Sequence, residues 1–100
     1  MRNAIGLTER DMLAIKNILS KYPDIQEVKI FGSRAKGVHR LFSDIDLAIT
    51  QGTPDVQQIA ALKADFEESS LPYKVDVLIF ERADTHVQEH INRVGQQIYP

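Results

Sequence analysis

Apolar positions along this chain follow two rhythms, and each predicts a kind of element. Met12, Leu13, Ile15, Ile18, Leu19 and Tyr22 recur at helical spacing behind Thr8-Glu9-Arg10-Asp11, where an acid follows a hydroxyl by three residues. The pattern predicts a helix over roughly residues 9–21, ended by Pro23-Asp24. Val28-Lys29-Ile30-Phe31 reads as a short strand closed by Gly32. Ser33 to Lys36 predicts one helical turn, Gly37 to Ser43 a loop, and Asp44 to Thr50 a second strand. Thr53-Pro54-Asp55 supplies a cap and a proline for a helix running to about Ser69, with Val56, Ile59, Ala60, Lys63 and Phe66 along one side. Leu71-Pro72 breaks it, and Tyr73 to Phe80 predicts a third strand. Asp84 or Thr85 caps a last helix in which Val87, Ile91, Val94 and Ile98 step by four, three and four. The fold class expected is mixed α/β (α+β): a small mixed β-sheet flanked by helices, with residues 1–100 as a single domain.

Composition narrows the function classes. At 43% apolar and 26% charged residues the chain is globular in character, and 100 residues bury only one modest core. Little remains for a separate substrate lobe, so an enzyme of this size draws part of its acceptor site from a partner. A net charge of −2 leaves no polybasic footprint and argues against nucleic acid as the main ligand. There is no cysteine, hence no disulfide or thiolate metal site. Neither a signal peptide nor a stretch near the ~20 apolar residues of a membrane span is visible, which makes a cytoplasmic protein without a membrane partner the expectation.

The candidate chemistry lies in three short runs. In Phe31-Gly32-Ser33-Arg34 and Ser43-Asp44-Ile45-Asp46-Leu47, ten residues lie between Gly32-Ser33 and Asp44, and Val75-Asp76-Val77 follows in the next apolar run. Residues two apart in a strand point the same way, about 6.6–6.8 Å apart along it. Asp44 and Asp46 therefore share one face, while Ile45, Leu47 and Ile49 build the core from the other. Asp76 alternates in the same manner with Val75, Val77 and Ile79. If the second and third strands are neighbours, the three carboxylates converge. Clustered anions repel unless a cation sits among them, and an all-oxygen donor set selects Mg²⁺, or Mn²⁺, over zinc. Gly32 lets a backbone approach an anion closely, helix-start N–H groups favour phosphate, Ser33 adds a hydroxyl donor and Arg34 charge-assisted bonds. Asp44, Asp46 and Asp76 are thus the candidate catalytic and metal-holding residues, and Gly32, Ser33 and Arg34 the candidate nucleotide-binding ones.

Other motifs fail. Gly32 to Gly37 has P-loop spacing, but Val38-His39 stands where lysine and a hydroxyl are required. An EF-hand loop needs an oxygen ligand and a glycine where Ala48 and Ile49 stand. His86 and His90, four apart on the last helix, lack a third ligand and are expected on a solvated face, and His39 is expected as an ordinary loop residue.

The run from Phe31 to Gly37, with Ser43 to Ala48 and Val75-Asp76-Val77, resembles the signature of the nucleotidyltransferase superfamily related to DNA polymerase beta. Gly95-Gln96-Gln97-Ile98-Tyr99 is similar to the ending of its small stand-alone branch, the minimal nucleotidyltransferases (MNT), and the resemblance spans about residues 8–99. It implies a polymerase beta-like fold and a transfer of AMP from ATP to a hydroxyl. Asp44 and Asp46 would hold two Mg²⁺ ions, Asp76 would share one of them and take the acceptor's proton, and Gly32 and Ser33 would hold the β- and γ-phosphates. Members of this branch pair with a small helical HEPN protein, a toxin that they neutralise by adenylylating a tyrosine. The resemblance therefore implies an antitoxin with a HEPN-type partner in a hetero-oligomer. Two alternatives remain open: the catalytic subunit of a two-component, aminoglycoside-like small-molecule nucleotidyltransferase, and a non-catalytic nucleotide-binding antitoxin.

Overall fold

Reciprocal caps start the helices where the polar residues predict them. Thr8 Oγ1 accepts the Asp11 N–H while the Asp11 carboxylate accepts the Thr8 N–H, each at 3.0 Å, and α1 runs Glu9–Leu19. Asp55 and Gln58 form the same box ahead of α3 (Val56–Glu67), so the cap is Asp55. Asp84 caps α4 (Thr85–Val94) through the Val87 N–H. The computed structural model describes residues 5–37 and 43–100. Within them lie strands β1 (Ile25–Phe31), β2 (Ile45–Gly52), β3 (Val75–Ile79) and β4 (Gln96–Tyr99), the one-turn helix α2 (Ser33–Lys36), and a 3-10 turn at Phe80–Arg82.

The strands form one mixed sheet in the order β3-β2-β1-β4. β1 is antiparallel to β2 and β4, whereas β2 and β3 are parallel and need a crossover, which α3 provides. Val28 and Ile30 of β1, Ile45, Leu47 and Ile49 of β2, and Val77 of β3 pack into one cluster with Ile15 and Leu19 of α1 and Leu62 and Phe66 of α3. The opposite face carries the polar members of the alternation. The mixed α/β class expected from the pattern is the one observed. Among the described residues no helix is long and apolar enough to cross a membrane.

Three expectations change. First, the last helix does not reach Ile98. It ends at Val94, and Gly95 turns the chain into a fourth strand that pairs with β1, Lys29 opposite Gln97. Gly95 donates its N–H to the Ile91 carbonyl at 2.7 Å, and a Cβ there would strike that same oxygen. Ile98 is buried in the core cluster, so its helical step from Val94 arises from a strand position that also faces inward. Second, the inner stripe of α3 is Ile59, Leu62 and Phe66; Val56 is 69% exposed and Ala60 and Lys63 are exposed as well. A lysine gains nothing on an apolar stripe, and the helix settles with Leu62 inward. Third, β1 begins at Ile25, three residues earlier than the β-branched run suggests, and β2 begins at Ile45 and extends to Gly52. The Ile45 N–H is held by the Lys74 carbonyl at 2.8 Å.

Candidate active site

Register decides whether the acids meet. Phe31 is paired with Asp46 across β1 and β2, and Asp46 with Asp76 across β2 and β3. Paired residues on neighbouring strands point to the same face, so Phe31, Asp46 and Asp76 form a transverse row on the side away from the main core. Lys29, Ala48 and Leu78 form the next row. The two carboxylates whose meeting depended on strand adjacency are therefore lateral neighbours. Asp44 stands one residue before β2, is exposed, and adds its charge to the field at Asp46.

That field is visible in Asp46. Its pKa lies above the ordinary carboxylate value because it is partly desolvated and because Asp76 and Asp44 both repel its negative form; Lys74 pulls the other way. Lys74 Nζ stands 4.0 Å from Asp76 Oδ1, with both side chains open to solvent. Among the described residues no three His, Cys, Asp or Glu side chains are gathered closely enough to hold a metal ion. The arrangement is a lateral acid pair with a third acid beside it. Its donor set, oxygen only, and its mutual repulsion, offset only in part by Lys74, fit a hard divalent cation, and Mg²⁺ commonly completes its shell with substrate phosphate instead of a dedicated protein cage.

Gly32 joins the acids to the glycine-serine bend. Its φ of 77° and ψ of −152° lie in a region almost exclusive to glycine, and a Cβ on it would collide with Asp46 Oδ2. The bend and the acid row are thus in van der Waals contact. Ser33 follows as the first residue of α2 and is half-buried. We expect Gly32→Ala to lose about 1–3 kcal/mol of stability from backbone strain alone, together with any melting-temperature gain from ATP and Mg²⁺. Thermal melts with and without the nucleotide check both effects.

Arg34 is placed differently from the phosphate contact expected of it. Its side chain is 1% exposed. Nε and one terminal nitrogen donate to the Ser43 carbonyl at 3.1 and 2.9 Å, and the other terminal nitrogen donates to the Ile5 and Gly6 carbonyls at 3.0 and 3.3 Å. The guanidinium carbon lies 4.5 Å from the centre of the Tyr73 ring. The planar fork is consumed inside the protein. It ties together the segments that lead into Asp44 and toward Asp76.

Two features went unforeseen. Lys74, at the same parity as Asp76, reaches it, and a period-of-two reading of that strand contains the signal. His90 packs edge-on against Phe31 with ring centres 6.1 Å apart, so it is half-buried on the acid-bearing face and not simply solvated. Burial and the charges of Lys36 and Arg93 hold its pKa below the ordinary histidine value. His86 is exposed, and His39 lies outside the described residues.

A four-stranded mixed sheet with a glycine-serine bend pressed against laterally paired aspartates defines a nucleotidyltransferase type of protein. Residues 14–100 match the family model for "Polymerase beta, Nucleotidyltransferase", and the chain belongs to that family. Among curated proteins it is similar to the "Probable protein adenylyltransferase MntA" of Haemophilus influenzae, 34% identical over 91 residues that cover 90% of this chain and 80% of the relative. Among solved structures it is similar to a toxin–antitoxin with AMP-PNP, with a TM-score of 0.73, 26% identity, and coverage of 89% of this chain and 73% of that one. A complex of a tri-AMPylated Shewanella oneidensis HEPN toxin with an MNT antitoxin shares the fold, with a TM-score of 0.60, 23% identity, and coverage of 88% and 71%.

Proposed function

We propose that this protein is a Mg²⁺-dependent protein adenylyltransferase that acts as an antitoxin, moving AMP from ATP to a hydroxyl, a tyrosine in our reading, of a helical HEPN-type partner. The observation that carries the reading is the register Asp46↔Asp76 with Gly32 packed on Asp46, which sets a phosphate-type bend beside an acid pair. The likeness to a protein adenylyltransferase at 34% identity supports it further, as does the likeness to a toxin–antitoxin structure with AMP-PNP. Asp44, Asp46 and Asp76 would hold Mg²⁺ once triphosphate oxygens are present. When bound, the cation would neutralise the triphosphate and stabilise both attacking and leaving oxygens of an in-line displacement.

The chain's own groups do the remaining work. Gly32 and Ser33 hold the β- and γ-phosphates through backbone N–H groups and the serine hydroxyl. The acceptor oxygen bonds to the α-phosphorus as the bond to the α,β-bridging oxygen breaks, and pyrophosphate leaves. Asp76 receives the acceptor's proton. The half-buried setting of Asp46 strengthens its electrostatic interactions relative to open water.

The test is incubation with α-labelled ATP, Mg²⁺ and the helical partner protein. Label on the partner is the expected result. Label on a small hydroxyl compound instead would favour the two-component small-molecule enzyme, and a tight complex without label a non-catalytic antitoxin.

A further inference from the structure

Lys74 stands one residue before β3 with a fixed root and a free head. Its carbonyl accepts the Ile45 N–H at 2.8 Å, beside the first pair of the parallel ladder, Ile45 opposite Val75. Two residues ahead of Asp76, it emerges on the same face, and Nζ lies 4.0 Å from Asp76 Oδ1. The side chain is 72% exposed, so its flexible four-carbon stem is free to turn. The same ammonium acts on Asp46, against the repulsion from Asp76 and Asp44. One lysine thus serves both acids that the register sets side by side.

We propose that Lys74 is a positioning residue that couples cation binding to nucleotide binding: its ammonium pairs with Asp76 in the metal-free protein and turns to a triphosphate oxygen when ATP arrives with Mg²⁺. The inference rests on the function proposed above and adds an order of loading to it.

Charge balance separates the two states. Without nucleotide, a divalent cation at Asp46 and Asp76 would have to displace the ammonium from Asp76 and then stand beside it, and like charges at that range repel. Free cation is therefore resisted. ATP reverses the balance, because its triphosphate carries several negative charges to the row. The cation completes its shell with phosphate oxygens, and the ammonium gains a charge-assisted partner in place of the carboxylate it gives up. Exchange is easy, since an ion pair this open to solvent is a weak one. Arg34 cannot take the part, being buried with its donors committed to carbonyls.

The experiment compares the full wild-type chain with Lys74→Gln and Lys74→Arg in two binding measurements that need no turnover. Mn²⁺ alone is titrated at low ionic strength, with the unbound ion read by electron paramagnetic resonance. AMP-PNP is titrated calorimetrically with Mn²⁺ in excess. Lys74→Gln should bind Mn²⁺ alone about three- to tenfold more tightly and AMP-PNP more weakly by a similar factor. Both differences should shrink at about 0.5 M salt. Lys74→Arg keeps the charge and should stay near wild type in both titrations. A lysine that merely steadied the strand would, when replaced, weaken both ligands together. Mn²⁺ binding that Lys74→Gln leaves unchanged or weakens overturns the proposal, as does AMP-PNP binding that it leaves unchanged. If wild type takes up AMP-PNP with Mn²⁺ in that case, the transferase reading stands without the coupling. A wild-type chain that takes up neither ligand at millimolar levels removes the cation site itself, and both readings fall.

Discussion

Asp46→Asn is expected to abolish AMP transfer while making the metal-free protein more stable at neutral pH. The loss follows from the proposed role: removing a carboxylate that positions the cation costs about 4 kcal/mol or more of transition-state stabilisation, about a thousandfold in rate. The gain follows from electrostatics. The carboxyl of Asp46 has a pKa above its ordinary value, through desolvation first and the charges of Asp76 and Asp44 next. The folded chain therefore binds this proton more tightly than the unfolded one. Stability from that preference is present below the ordinary carboxylate range and is lost as pH rises through the elevated value. At pH 7 the ionised acid burdens the fold, and asparagine removes the burden. The melting-temperature advantage of Asp46→Asn should be largest near pH 7 and fade as pH falls toward 4. Millimolar Mg²⁺ with ATP should raise the wild-type melting temperature and not that of the variant. A wild-type melt indifferent to Mg²⁺ and ATP would sink the metal-site reading.

Arg34→Ala should cost about 3 kcal/mol or more of stability, and so 10 °C or more in melting temperature for a domain of this size. The substitution removes the Arg34 donors from the carbonyls of Ser43, Ile5 and Gly6 and the cation from the Tyr73 ring, and opens a cavity where a fully buried side chain stood. Arg34→Lys should recover less than half, because an ammonium cannot reproduce the planar fork that spans Ser43 and the Ile5–Gly6 turn. Denaturant unfolding measures both. The result separates two roles for this residue. A phosphate ligand would lose nucleotide affinity and keep its stability; a buried clamp loses stability first, and activity only as Asp44 and Tyr73 lose their anchors.

Much of the site is legible in the order of residues. Alternation of acids with Ile45, Leu47 and Ile49, and of Asp76 with Val75 and Val77, depends only on strand parity, a local property. Gly32 was readable because few other residues adopt the backbone its bend requires. The fate of Arg34 was not readable. Its partners are the Ser43 carbonyl nine residues on, carbonyls 28 and 29 residues back in sequence and an aromatic ring on another loop, and no local pattern distinguishes a basic residue that binds phosphate from one swallowed by the fold. The C-terminal strand was hidden for a related reason. The step from Val94 to Ile98 satisfies a helical period, and only the open edge of β1 converts Gln96–Tyr99 into a strand.

By itself, the amino-acid order determined the types of α1 to α4 and of β1 to β3, the face on which Asp46 and Asp76 emerge, and the glycine at the bend, because each depends on short-range backbone geometry. Tertiary structure alone decided that β2 and β3 lie side by side with Asp46 opposite Asp76, that Gly32 touches the Asp46 carboxylate, and that Arg34 turns inward. Those outcomes depend on long-range pairing and on the drive to satisfy every buried polar group, which act only once the sheet and its helices have closed around one core.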